Sequence, residues 1–154
     1  MKAIHWIIAA AALASFQPAQ AGINDPEIII YRFPGVKDDG GGANVGIATV
    51  FLCTNFSGVS ENIRFAARSD GGALLTNGFH TTGHLVTVTM FTHLNAAYTG
   101  ITTPTGAVNS GTMAIAATSI NVICTAMTID AANTKPVGIA LRGIRFNPVP
   151  GSQE

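Results

Sequence analysis

The sequence predicts an all-β protein: an antiparallel β-sandwich of about seven to eight strands with a single disulfide, preceded by a cleaved signal peptide. Three observations carry this reading. Short runs of β-branched and apolar residues are separated by Gly, Asn, Asp and Pro across residues 22–154, and no segment keeps the period of a helix. The 17 threonines suit a pleated surface, where the branched Cβ packs and the hydroxyl keeps an outer face wet. With no helices to cover them, the strands must bury one face against another sheet, and their spacing fits a sandwich better than a barrel.

The first 21 residues have the layout of an export signal. Lys2 is followed by an apolar run over 6–16 and by the small residues of Ala19-Gln20-Ala21, so cleavage is expected before Gly22. The run is about half of the ~20 apolar residues that a membrane span needs. No later stretch is long and apolar enough to span, and no Cys stands at the expected cleavage point to accept a lipid. The expected mature chain is one soluble domain over 22–154 without a membrane span, in the periplasm or outside the cell, with 147–154 as an extended tail.

A first strand is expected over 27–33, ended by Pro34-Gly35 and followed by a glycine-rich loop from Lys37 to Asn44. Residues 47–56 form the next strand and carry Cys53. Over 62–68, Ile63, Phe65 and Ala67 alternate with Asn62, Arg64 and Arg68, the period of a sheet with one wet face. A turn at Ser69-Asp70-Gly71-Gly72 leads to a weaker strand over 73–79, and a Thr-rich strand is expected over 84–94. Gly100, Pro104 and Gly106 make 98–105 an edge strand or an ordered loop. Strands over 113–117, 120–129 (with Cys124) and 138–146 complete the set.

Charge excludes one class of function. Without Lys2 the chain has 7 Lys and Arg against 8 Asp and Glu, and the basic residues are scattered, so nucleic-acid binding is not expected. Export gives Cys53 and Cys124 their meaning, because an oxidising compartment turns an even count into an expected disulfide; two buried free thiols are the other reading. Closing a loop of about 70 residues stabilises a fold by roughly 4 kcal/mol in the chain-entropy model. Neither cysteine has a Cys-x-x-Cys partner or a charged neighbour, so they read as structural and not redox-active.

Two clusters could hold a metal. His80, His84, Met90 and His93 offer imidazoles and a thioether, but on one strand over 84–94 His84 and His93 would point to opposite faces, which leaves at most a pair of His80 with His84. Asp38, Asp39 and Asn44 offer oxygens in the glycine-rich loop, without the spacing of a twelve-residue calcium loop. That loop also lacks the dinucleotide and phosphate-loop fingerprints. No Gly-x-Ser-x-Gly elbow occurs, the carboxylates show no pairing beyond the adjacent Asp38 and Asp39, and Asn55-Phe56-Ser57 reads as an accidental glycosylation pattern. No catalytic residue, cofactor or metal ligand is assigned; the site residues are the disulfide pair Cys53 and Cys124.

Several stretches together, Cys53-Thr54-Asn55-Phe56-Ser57, Glu61-Asn62-Ile63-Arg64, Cys124-Thr125-Ala126 and Arg145-Phe146-Asn147-Pro148 through Gly151 to Gln153-Glu154, resemble a group of small exported bacterial proteins whose function is not assigned. The resemblance implies export and the cysteine pairing, and it transfers no catalytic residue. The favoured expectation is a non-enzymatic envelope or secreted module that binds another protein or a surface. The alternative is a small-molecule or carbohydrate-binding domain, or a hydrolase, with a loop-built site; the only Trp is Trp6, in the leader, which disfavours sugar stacking. A pilus-type subunit ranks third, since Pro148 and Pro150 spoil a terminal donor strand.

Overall fold

The computed structural model describes residues 26–146, which form ten strands and no helix. In chain order they are β1 (Ile28–Asp38), β2 (Ile47–Asn55), β3 (Glu61–Arg68), β4 (Leu74–Thr82), β5 (Thr87–Phe91), β6 (Ile101–Thr102), β7 (Val108–Ala117), β8 (Val122–Asp130), β9 (Ile139–Leu141) and β10 (Ile144–Arg145). They build two five-stranded sheets, ordered β10-β1-β7-β3-β4 and β6-β5-β2-β8-β9. Every pairing is antiparallel except that of β6 with β5. The all-β sandwich expected from the sequence is therefore present. The expected leader, its cleavage point and the tail over 147–154 lie outside the described residues.

Burial explains why the sheets stack. Ile30, Phe33 and Val36 of β1, Ile63, Phe65 and Ala67 of β3, and Met113 and Ile115 of β7 meet Phe51 and Cys53 of β2 and Val88 and Met90 of β5 in one core. Each large side chain taken fully out of water contributes about 1.5–3 kcal/mol. The alternation in β3 is complete: Ile63, Phe65 and Ala67 point in, while Arg64 turns outward to an ion pair with Glu27. A second, smaller cluster of Ala48, Val50, Phe91, Ile129 and Ala131 lies under Ala97 and Tyr98 of the 92–100 segment.

Several boundaries differ from the sequence expectation. β1 runs through Pro34-Gly35, because β10 covers only Tyr31 and Arg32 and a register shift at Pro34/Val36 absorbs Gly35, whose φ is 81°. β5 is shorter than 84–94: His84 and Leu85 form a turn, with Leu85 at φ 60°, and His93 lies beyond the strand end. The 98–105 stretch holds only β6, so it is both the edge strand and the ordered loop expected. β7 begins well before residue 113, its Gly111 fitting against β3, where a Cβ would come 2.6 Å from the Arg68 carbonyl oxygen. The segment 138–146 is two strands, β9 in one sheet and β10 in the other, and the chain changes sheet at Arg142-Gly143.

Candidate functional site

Cys53 and Cys124 are joined in a disulfide, as expected, and the described residues contain no free cysteine. The bond lies within one sheet, because the two residues face each other across β2 and β8. Both are buried in the main core, consistent with a structural role.

The histidine cluster does not assemble. His80 is exposed on β4, Met90 is buried in the core, and His84 occupies the turn before β5, where its Nδ1 accepts a 3.0 Å hydrogen bond from the Gly58 N–H. His84 and His93 flank β5 at opposite ends. They are apart for that reason, and not because they share a strand. His93 instead meets the glycine-rich loop.

That loop is built around two aspartates. β1 delivers Asp38 to the sandwich end almost wholly buried, with 1% of its side chain exposed, where Oδ1 accepts the Gly40 N–H at 2.7 Å and Oδ2 the Thr105 hydroxyl at 3.2 Å. Asp39 points outward; its Oδ1 accepts the Gly41 N–H and its Oδ2 the Ile47 N–H, both at 3.0 Å. These two backbone donors, with His93 nearby, hold the Asp39 carboxyl below its ordinary range. Gly46, at φ 74°, is required here, since a Cβ would come 1.7 Å from Asp39 Oδ2. His93 Nε2 lies 3.0 Å from the Val45 carbonyl oxygen. Its Nδ1 lies 3.0 Å from Asp38 Oδ2, yet off the line a hydrogen bond needs, so among the described residues this buried nitrogen makes none. Asp38, Asp39 and His93 each offer a ligand atom, all within 4.8 Å of one another. Asn44 is exposed, and its backbone N–H donates to Leu94 O at 2.9 Å. The sequence reading weighed Asp38 and Asp39 in one set and His93 in another. Their union depends on how the sheets stack, which no spacing along the chain reveals.

A polar cluster sits at the other end. Glu61 is fully buried; its Oε2 accepts the Thr118 hydroxyl, and among the described residues its Oε1 has no partner, nor has the Oγ1 of Thr82, its cross-strand neighbour. Asn55, also fully buried, donates to the carbonyls of Val59 at 2.7 Å and Thr82 at 2.9 Å. A buried, engaged amide is no glycan acceptor, as the accidental reading of Asn55-Phe56-Ser57 requires. Asn55 and Glu61 fall in two of the stretches that carry the resemblance, and here they hold loops together.

On the surface, Val137 and Ile139 join Ile47 and Ile129 around an apolar recess of about 350 Å³. β4, nine residues long, forms an edge of its sheet. Among the described residues no helix is long and apolar enough to cross a membrane. Compared with protein-family models, with curated proteins and with solved structures, the chain matches none.

Proposed function

We propose that this is an exported, non-enzymatic interaction module that binds an extended segment of a partner protein along the open edge of β4. One observation carries the reading. The nine residues of β4, Leu74–Thr82, include no Pro, Lys, Arg, Asp or Glu, and among the described residues no strand pairs with the outer side. Sheet proteins ordinarily blunt such an edge with charge, proline or a covering loop, because its free N–H and C=O groups are a template for another strand. An added strand would gain main-chain hydrogen bonds from the edge and specificity from side chains beside it. Phe79 is the largest apolar side chain offered, exposed and held beneath the Arg64 guanidinium, 5.4 Å from the ring centroid.

Export is supported by the leader layout and by the disulfide. The resemblance to small exported bacterial proteins points the same way and adds no activity. The test is photo-crosslinking in the exporting cell, with p-benzoylphenylalanine in place of His80 on β4 or, as control, of Thr125 in the middle of the other sheet. A discrete adduct from position 80 and none from 125 is the expected result. No adduct, or equal adducts from both positions, would overturn the reading. If the captured protein is a second copy of this chain, the strand donor is a neighbouring subunit, as in the pilus-type alternative.

A further inference from the structure

We propose that Asp38, Asp39 and His93 bind one divalent transition-metal ion of the zinc type. The site would close the end of the sandwich where β1 of one sheet approaches the exit from β5 of the other. It is independent of the β4 edge.

The argument begins with the imidazole. A carbonyl oxygen only accepts hydrogen bonds, so the 3.0 Å contact to Val45 O places the ring proton on Nε2. Nδ1 is buried 3.0 Å from a carboxylate oxygen and, among the described residues, makes no hydrogen bond. A buried nitrogen left without a hydrogen bond is a conflict that costs free energy unless something else compensates it. The ring is well fixed, with only 12% of its side chain exposed. A cation bound to both atoms removes the conflict. With bonds of about 2.1 Å to nitrogen and oxygen, ligand atoms this far apart subtend about 90° at the metal, the angle of neighbours in a five- or six-coordinate shell.

The surroundings are those of a supported site. Metal-bound histidines ordinarily donate their second ring N–H to a carbonyl or carboxylate, and ligating carboxylates are themselves hydrogen-bonded. Val45 O fills the first role; the N–H groups of Gly40, Gly41 and Ile47 and the Thr105 hydroxyl fill the second. Each carboxylate oxygen has two lone pairs, so these bonds leave room for a metal. Two carboxylates balance a divalent charge. The imidazole selects a transition metal over calcium or magnesium, which prefer oxygen alone. With three protein ligands, the remaining positions fall to water.

The experiment is calorimetric titration of zinc chloride, at neutral pH, into the chain purified from the exporting cell and stripped with EDTA. One ion per chain is expected. His93→Gln and Asp39→Asn should each weaken binding by roughly 100-fold or more. His80→Gln combined with His84→Gln should leave it unchanged, and calcium chloride should give no saturable heat. Asp39 points into solvent, so its variant remains informative if the His93 variant folds poorly. Absence of saturable zinc binding, full binding by the folded His93→Gln or Asp39→Asn protein, loss in the His80/His84 variant, or a preference for calcium would each overturn the proposal.

Discussion

Cys53 and Cys124 stand directly opposite each other on β2 and β8, their Cα atoms 4.1 Å apart, so the disulfide joins neighbouring strands of one sheet. The two strands also share an uninterrupted ladder from Ile47 opposite Asp130 to Asn55 opposite Val122. The bond therefore reinforces a pairing that the backbone already specifies. Its contribution comes from restricting the unfolded chain, about 4 kcal/mol for a separation of 71 residues. The double variant Cys53→Ala, Cys124→Ala should keep the β-sheet circular dichroism spectrum while losing up to about 4 kcal/mol in urea unfolding.

Asp39 gives the loop a dependence on acid. The N–H of Gly41, then that of Ile47, favour the ionised carboxylate, and the folded group stays charged to lower pH than the unfolded one. A depressed folded value means stabilisation that is present above the unfolded value and lost as pH falls through the folded one. In metal-free buffer, wild type should exceed Asp39→Asn in melting temperature by a constant margin at neutral pH. That margin should shrink below about pH 4. A margin that grows on acidification would contradict this account.

How much was legible depended on whether the signal was local. The alternation of Ile63, Phe65 and Ala67 located β3 and its inner face, since period-two burial leaves a mark in adjacent residues. Pro34-Gly35 misled, because a proline near a sheet edge can be absorbed by a bulge and the sequence does not say which strand lies at an edge. The change of sheet at Arg142-Gly143 left no mark in a run that reads as one strand. Asp38 and His93 were each visible as candidate ligands. Their meeting was not, because it is set by the stacking of β1 over the β5 side of the other sheet.

The buried carboxyl of Glu61 depends on one hydroxyl. Thr118 donates to its Oε2 from beyond the end of β7, and no other donor to the carboxyl is found among the described residues. Thr118→Val keeps the shape and removes both the donor to Glu61 and the acceptor of the Asn62 N–H, 3.1 Å away, which should cost about 1–3 kcal/mol in urea unfolding. Thr118→Ser, which retains the hydroxyl, should recover most of that loss. No loss in Thr118→Val would mean that the hydroxyl does not hold the carboxyl.

Gly143 tests the crossing between sheets. A Cβ there would come 2.4 Å from the ring of Phe33, which is buried at the centre of the core and packs edge-on against Phe51. The ring cannot retreat without displacing its neighbours, so the connection between β9 and β10 has to lift away. Gly143→Ala should cost about 1–3 kcal/mol, the usual penalty of overpacking, and should expose the segment after Leu141 to protease before the rest of the chain. Gly42→Ala is the matching control: a Cβ there meets nothing within 4 Å and the backbone needs no positive φ. It should change stability by less than about 0.5 kcal/mol. Similar losses in both variants would mean that the close approach of Gly143 to Phe33 does not govern how the chain changes sheet.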